Sequence, residues 1–243
     1  MFPDLLKPHR QTLSEAVSSR FSCHTFSASP TLQDWAVLSY LAGRWEHSGI
    51  RLRLTRVPSG FFSGGILRFR KITGTDTVCV LSGPDDEMHV TAAGFLGEAF
   101  ILDCTSRSFA TCWLTGSLLR KPLPVPISPG ETVFALIALG HPGENAAPRR
   151  RKDLSRLCEG DVSTWSLPFR KAAQYVWEAP SASNAQPFLM SASAHSFSID
   201  SSDKTRLDLG VAICHASLAL DMPCRWVSGT GRSEPMATCL CSH

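Results

Sequence analysis

The chain is most tightly constrained at residues 179–190, which read Ala-Pro-Ser-Ala-Ser-Asn-Ala-Gln-Pro-Phe-Leu-Met. Pro180 and Pro187 each fix a φ angle, remove an N–H donor and push the preceding residue toward extended backbone. A largely apolar helical pattern comes before this stretch (161–178) and a strand pattern after it (188–194). A plain connector between the two needs far less. Serines, an Asn and a Gln held between two prolines form a preorganised loop that can offer amide and backbone N–H groups to a flat ligand. An ordinary turn-rich loop has the same composition, so the residues around it must decide.

The chain has 243 residues, 43% of them hydrophobic, which is ample for a substantial core. A net charge of +3 with only 19% charged residues does not mark a nucleic-acid or membrane-surface protein. No apolar run approaches a membrane span, and the first residues lack the regions of a signal peptide, so a cytoplasmic protein is expected. Nine cysteines are scattered without a CxxC pair, which predicts reduced and mostly buried thiols. Cys239-x-Cys241-x-His243 reads as a final strand with buried thiols rather than a metal site.

A short helix is predicted over 8–19, opened by a capping box at Thr12 and Glu15. The alternating segment Arg20-Phe21-Ser22-Cys23-His24-Thr25-Phe26 turns Arg20, Ser22 and His24 to one side. Residues 31–45 form an amphipathic helix capped by Thr31, with Leu32, Trp35, Ala36, Leu38 and Leu41 as its expected buried stripe and Trp35 and Trp45 as core aromatics. Strands are expected at 50–57, 66–72 and 78–81, with Gly60, Gly64 and Gly65 in a loop. A long helix follows over 92–112, continuing or breaking near 103–107, with close packing at Gly94 and Gly97 and with Gly116 as a helix cap. Residues 131–140 are the cleanest buried strand. The dense cationic run Arg149-Arg150-Arg151-Lys152 suits a solvated face, an RNA contact or a phosphate clamp, the last because guanidinium forks match phosphate oxygens. Residues 206–220 are a nearly all-apolar helix in which His215 is a core histidine satisfied by a hydrogen bond.

Four segments together resemble the flavin-dependent nitroreductase family: Arg20-x-Ser22-x-His24-x-Phe26, Cys112-Trp113-Leu114-Thr115-Gly116, the basic run, and Pro180-Ser181-x-x-Asn184-x-Gln186-Pro187-Phe188. The chain departs from the family pattern at His24, where a fixed cation is usual, and at Phe188, where Trp is usual. The Pro-Ser-x-x-Asn segment comes early in ordinary members and late here. With Asp208-x-Gly210-Val211-Ala212-x-x-His215, that order resembles the single-chain TM nitroreductase subfamily, in which two half-domains mimic the usual homodimer. The resemblance implies an α+β fold with a central, mostly antiparallel sheet flanked by helices. It also implies one domain over 1–243 with half-repeats of about 8–150 and 151–243, monomeric as a pseudo-dimer. It implies non-covalent FMN, reduced by NAD(P)H and reoxidised by a nitroaromatic or quinone. The FMN-binding residues it implies are Arg20, Ser22, His24, Thr115, Gly116, Arg149, Arg151 and Lys152 from the first half. From the second half they are Pro180, Ser181, Ala182 and Asn184. His24 would stabilise the reduced ring, and a histidine does so only while protonated or donating. The alternative is a flavin-binding protein that has lost turnover.

Overall fold

The computed structural model describes residues 2–63, 71–145, 150–201, 206–229 and 235–241. Two short N-terminal turns, α1 (Pro3–Leu6) and a 3-10 turn (Lys7–His9), run straight into α2 (Arg10–Ser19). Thr12 is therefore inside a helix rather than at its start, and the expected capping box does not form. After strand β1 (Phe26–Ala28), helix α3 (Leu32–Trp45) opens as predicted: Thr31 Oγ1 accepts from Asp34 N–H while the Asp34 carboxylate accepts from Thr31 N–H. Its buried residues are Leu38, Leu41, Ala42 and Trp45, an i, i+3, i+4, i+7 stripe. Leu32 and Ala36, expected on that stripe, are exposed, because the helix is covered only along its second half.

Strands β2 (Arg51–Arg56) and β3 (Thr77–Pro84) lead to α4 (Glu87–Ser106), whose N–H groups are capped by Asp86. Of the strand expected at 66–72, residues up to 70 lie outside the described residues, and Ile72 is in no strand. The long helix predicted over 92–112 starts five residues earlier and takes the break allowed near 103–107, stopping at Ser106; Ser108 turns with φ +64, and Ala110–Leu114 is strand β4 rather than more helix. Helix α4 is buried on every side from Thr91 to Cys104, and the polar, exposed residues 106–108 separate it from β4. Strand β5 (Glu131–Pro142) is the predicted buried strand. The helix expected at 161–178 divides into a 3-10 turn (Val162–Thr164) and α5 (Leu167–Glu178), because Pro168 belongs in a first turn. Strands β6 (Phe188–Ala192) and β7 (Ser196–Ser201), helix α6 (Arg206–Ala219), and strands β8 (Cys224–Ser228) and β9 (Ala237–Cys241) complete the order.

One order of elements and strand pairing occurs twice along the chain. After α3 the order is strand, strand, helix, strand, strand, paired antiparallel as β4-β5-β3-β2; after α5 the same order pairs as β8-β9-β7-β6. β1 extends the first sheet beside the end of β5. Alternation sends Cys79, Leu81, Ile137 and Leu139 into the main core and Val78, Val80, Leu136 and Ala138 into a second core on the other face, so β3 and β5 read as continuous apolar runs. Helices α4 and α6 cross at the centre of the main core. A Cβ on Gly94 would come within 2.0 Å of Leu207 O, and one on Gly210 within 1.9 Å of Thr91 O. Only glycine permits that backbone contact. Arg10 closes the far end of α6, donating to the carbonyls of Ser217, Leu218 and Leu220.

Candidate functional site

A cleft of about 730 Å³ opens between the halves, within the size range of small-molecule sites. One wall is the extended segment after α2. A bridge from Ser22 to Thr111 and a bond from Cys23 N–H to Thr111 O, 2.9 Å, seat this segment beside β4. Cys23 and Phe26 enter the second core, while Arg20, Ser22 and His24 line the cleft with Phe21. The floor is the end of β4 and the turn after it, Cys112 to Leu118. Gly116 has φ +76, and a Cβ built on it meets nothing within 4 Å. The opposite wall is Pro180 to Asn184, backed by Leu207, Asp208 and Val211 of α6.

That opposite wall is held in an unusual conformation. Ser183, Asn184 and Gln186 all have positive φ, which costs non-glycine residues and persists only where the surroundings over-determine it. The surroundings here are explicit. Asp208 accepts Ala182 N–H on both carboxylate oxygens, 3.1 and 3.2 Å. Ser181 Oγ accepts Gln186 N–H. The basic run laces onto the loop. Arg151 donates to Glu178 O, Ala179 O and Asn184 Oδ1, Lys152 N–H donates to Gln186 Oε1, and Lys152 Nζ to Gln186 O. Asn184 Nδ2 donates in return to Arg150 O, 2.6 Å.

Charge at the cleft is balanced. Arg20 and Arg151 face it with Asp208 and Glu144, and Glu144 Oε1 accepts the N–H groups of His24 and Thr25. The His24 ring lies with Nδ1 3.1 Å from Ser22 O, so this nitrogen donates, and Nε2 lies 3.9 Å from Cys112 Sγ. Burial pushes the Cys112 thiol up to about 12, which removes it as a nucleophile. Behind Arg20 lies Glu98, fully buried in mid-α4. Its Oε1 is 3.6 Å from Arg20 Nε and 2.9 Å from His215 Nε2, and its Oε2 accepts Trp113 Nε1–H at 2.8 Å. Burial raises the carboxyl's pKa, but His215, Arg20 and Trp113 outweigh it and hold Glu98 below the usual carboxylate range. Burial draws His215 below its ordinary value against the pull of Glu98. A neutral His215 gives its Nε2–H to the carboxylate, as expected of a satisfied core histidine, and a second ring proton would turn its Nδ1 contact with Tyr175 O into a hydrogen bond.

Of the residues expected at the site, Arg20, Ser22, His24, Thr115, Gly116, Arg151, Pro180, Ser181, Ala182 and Asn184 meet at this one cleft. Lys152 is turned to Gln186 and is not among its lining residues, and Arg149 lies outside the described residues. Sequence reasoning missed Glu98, Glu144 and the role of Asp208. For Glu98 the signal was present, since a lone carboxylate in an apolar helical run must be paired. For Glu144 there was none. Cys239 and Cys241 lie on β9, Cys239 fully buried. Among the described residues no helix is long and apolar enough to cross a membrane.

The cleft offers a small molecule two guanidinium groups beside backbone, hydroxyl and amide groups. Residues 12–220 match the family described as "Putative TM nitroreductase". No curated protein matches the sequence significantly. Among solved structures, one described as a putative nitroreductase of Thermotoga maritima is 22% identical, with a TM-score of 0.68, covering 96% of this chain and 94% of its own. That likeness establishes the nitroreductase-like fold, helices packed on antiparallel sheet. A second, described as a putative nitroreductase in complex with FMN from Desulfovibrio desulfuricans, is 16% identical with a TM-score of 0.48 and covers 61% of this chain and 96% of its own.

Proposed function

Because the chain belongs to the TM nitroreductase family, we propose that its cleft holds FMN without a covalent bond and that the protein is an NAD(P)H-dependent oxidoreductase. The observation that carries this reading is the cleft itself, whose walls are Arg20, Ser22 and His24 on one side and Pro180 to Asn184 on the other. FMN supplies the redox chemistry, taking electrons from NADH or NADPH and passing them to an electron-poor acceptor such as a nitroaromatic or quinone. The chain's part is to bind and orient. Gly116 leaves room where a side chain would project into open space. The strained, cross-braced loop presents a preformed wall, so little ordering remains to be done on binding. Arg151 is the described cation of the basic run that faces the cleft; three of its N–H bonds brace the loop, so we assign the phosphate to it, with Arg149, by its charge rather than as a bidentate fork. Both cleft carboxylates are occupied by backbone N–H groups, which limits their repulsion of an anion. We further propose that the protein acts as a monomeric, single-domain pseudo-dimer in the cytoplasm.

The test is direct. Purified protein loaded with FMN is expected to show flavin absorbance that bleaches under anaerobic NADH or NADPH and returns on adding a quinone. A protein that takes up no FMN overturns the reading. One observation favours a second reading, a flavin binder without turnover. His24 stands where the resembled motif has a fixed cation, and its ring is committed to the Ser22 carbonyl. Bound flavin that stays yellow under either nucleotide would select that reading.

A further inference from the structure

Helix α4 carries a carboxylate at its most buried point, and two of the groups it holds line the cleft. Glu98 has no exposed surface; Arg20 and Trp113 reach it from the cleft wall, and His215 reaches it from α6. Trp113 is held twice, by its N–H on Glu98 and by its ring over Gly97, where a Cβ would come within 2.4 Å of the ring. A fold that needed only a filled core would place an apolar side chain at this point, because paired buried charges gain little over well-packed hydrophobes. The carboxylate has a geometric consequence at the site, since one side chain sets where both a guanidinium and an indole stand. It has an electrical consequence too, since a carboxylate 3.6 Å from Arg20 offsets the positive charge that Arg20 brings to the cleft.

We propose that Glu98 is a positioning residue of the cleft, fixing Arg20 and Trp113 in its wall and, by offsetting Arg20, setting the cleft's preference between oxidised and reduced flavin. The inference rests on the FMN reading. Reduction adds negative charge to the ring, so a stronger positive field favours the reduced form. Glu98→Gln keeps the shape, an acceptor for Trp113 N–H and a partner for His215, while removing the charge.

The experiment compares dissociation constants of oxidised and reduced FMN for wild type and Glu98→Gln, with thermal unfolding of the FMN-free proteins measured alongside. The ratio is expected to shift about tenfold toward reduced FMN in Glu98→Gln, and to move the opposite way, toward oxidised FMN, in Arg20→Ala. A Glu98→Gln protein that loses thermal stability but keeps the wild-type ratio would make Glu98 merely structural and overturn the proposal, as would an Arg20→Ala protein whose ratio stays put or moves toward reduced FMN. If Glu98→Gln does not fold, Trp113→Phe serves instead. It withdraws one donor from the carboxylate, and the ratio is expected to move toward oxidised FMN; no movement, or the opposite one, overturns the proposal. A wild-type chain that binds no FMN overturns the flavin reading and this inference together, whereas normal wild-type binding with an unmoved ratio overturns this inference alone.

Discussion

Gly116 is where a single methyl group tests the cleft. Its φ of +76 strains any side chain, and a Cβ there enters open space on the cleft floor. Gly116→Ala is expected to cost about 1 kcal/mol of stability from the left-handed backbone and to weaken FMN binding as well, read from urea unfolding and a fluorescence titration. A stability loss with unchanged FMN affinity would move the ring away from this turn. Glu98 and His215 make a second prediction at this scale. Both pKa values are lowered in the fold, Glu98 from 4.5 and His215 from 6.5, so as pH falls the unfolded chain takes up these protons before the folded chain does. Stability is then full above about pH 6.5 and declines below it, first through His215 and then, below about 4.5, through Glu98. Urea midpoints taken stepwise from neutral to acid pH are expected to fall, with His215→Gln flattening the upper part; a constant midpoint would contradict the assignment. These residues also show what was legible. His215 read correctly as a satisfied core histidine, but its partner lies 117 positions away in sequence, so only the crossing of two helices could name it.

Helix against helix, the decisive contact is between backbones. Gly94→Ala would drive a methyl into Leu207 O and force α4 and α6 apart, with an expected loss of about 3 kcal/mol or more. Gly43, exposed in the interior of α3 with nothing within 4 Å of an added Cβ, is the control, and Gly43→Ala is expected to gain about 1 kcal/mol from helix propensity. Chemical unfolding of the two variants reads opposite signs if the crossing is as described. The cross-braced loop gives the other test at this scale. Asn184→Ala with Ser181→Ala removes the bonds to Arg150 O, Arg151 and Gln186 N–H that hold the strained backbone. FMN is expected to be retained at least about tenfold less tightly, since the three bonds removed are each worth about 1 kcal/mol; unchanged affinity would place the ring elsewhere. Residues 110–114 read as helix because β4 is almost wholly buried, and an apolar run without periodicity does not distinguish helix from strand.

For the whole molecule, the expectation is one FMN per chain in a monomer. The helix and strand order recurs, yet the α5–β6 loop at Pro180–Asn184 has its topological counterpart in the short α3–β2 turn around Ser48 and Gly49. Titration to equivalence with sedimentation on the same sample checks this; two FMN per chain or a stable dimer would contradict it. What the sequence determined by itself was local: the prolines and amides of residues 179–190, the alternation after α2, the capping of α3, the buried β5 and the order of motifs that resembles a fused nitroreductase. All but the order of motifs rest on spacing, dihedral restriction or side-chain chemistry within about a dozen neighbouring residues. Only the tertiary structure decided which of those pieces meet. It turned Lys152 from the cleft to Gln186, set Asp208 under Ala182, and put Arg20 and His215 on the same buried carboxylate. Such pairings follow from where glycine lets α4 and α6 touch, and a contact of that kind leaves no period in the chain to read.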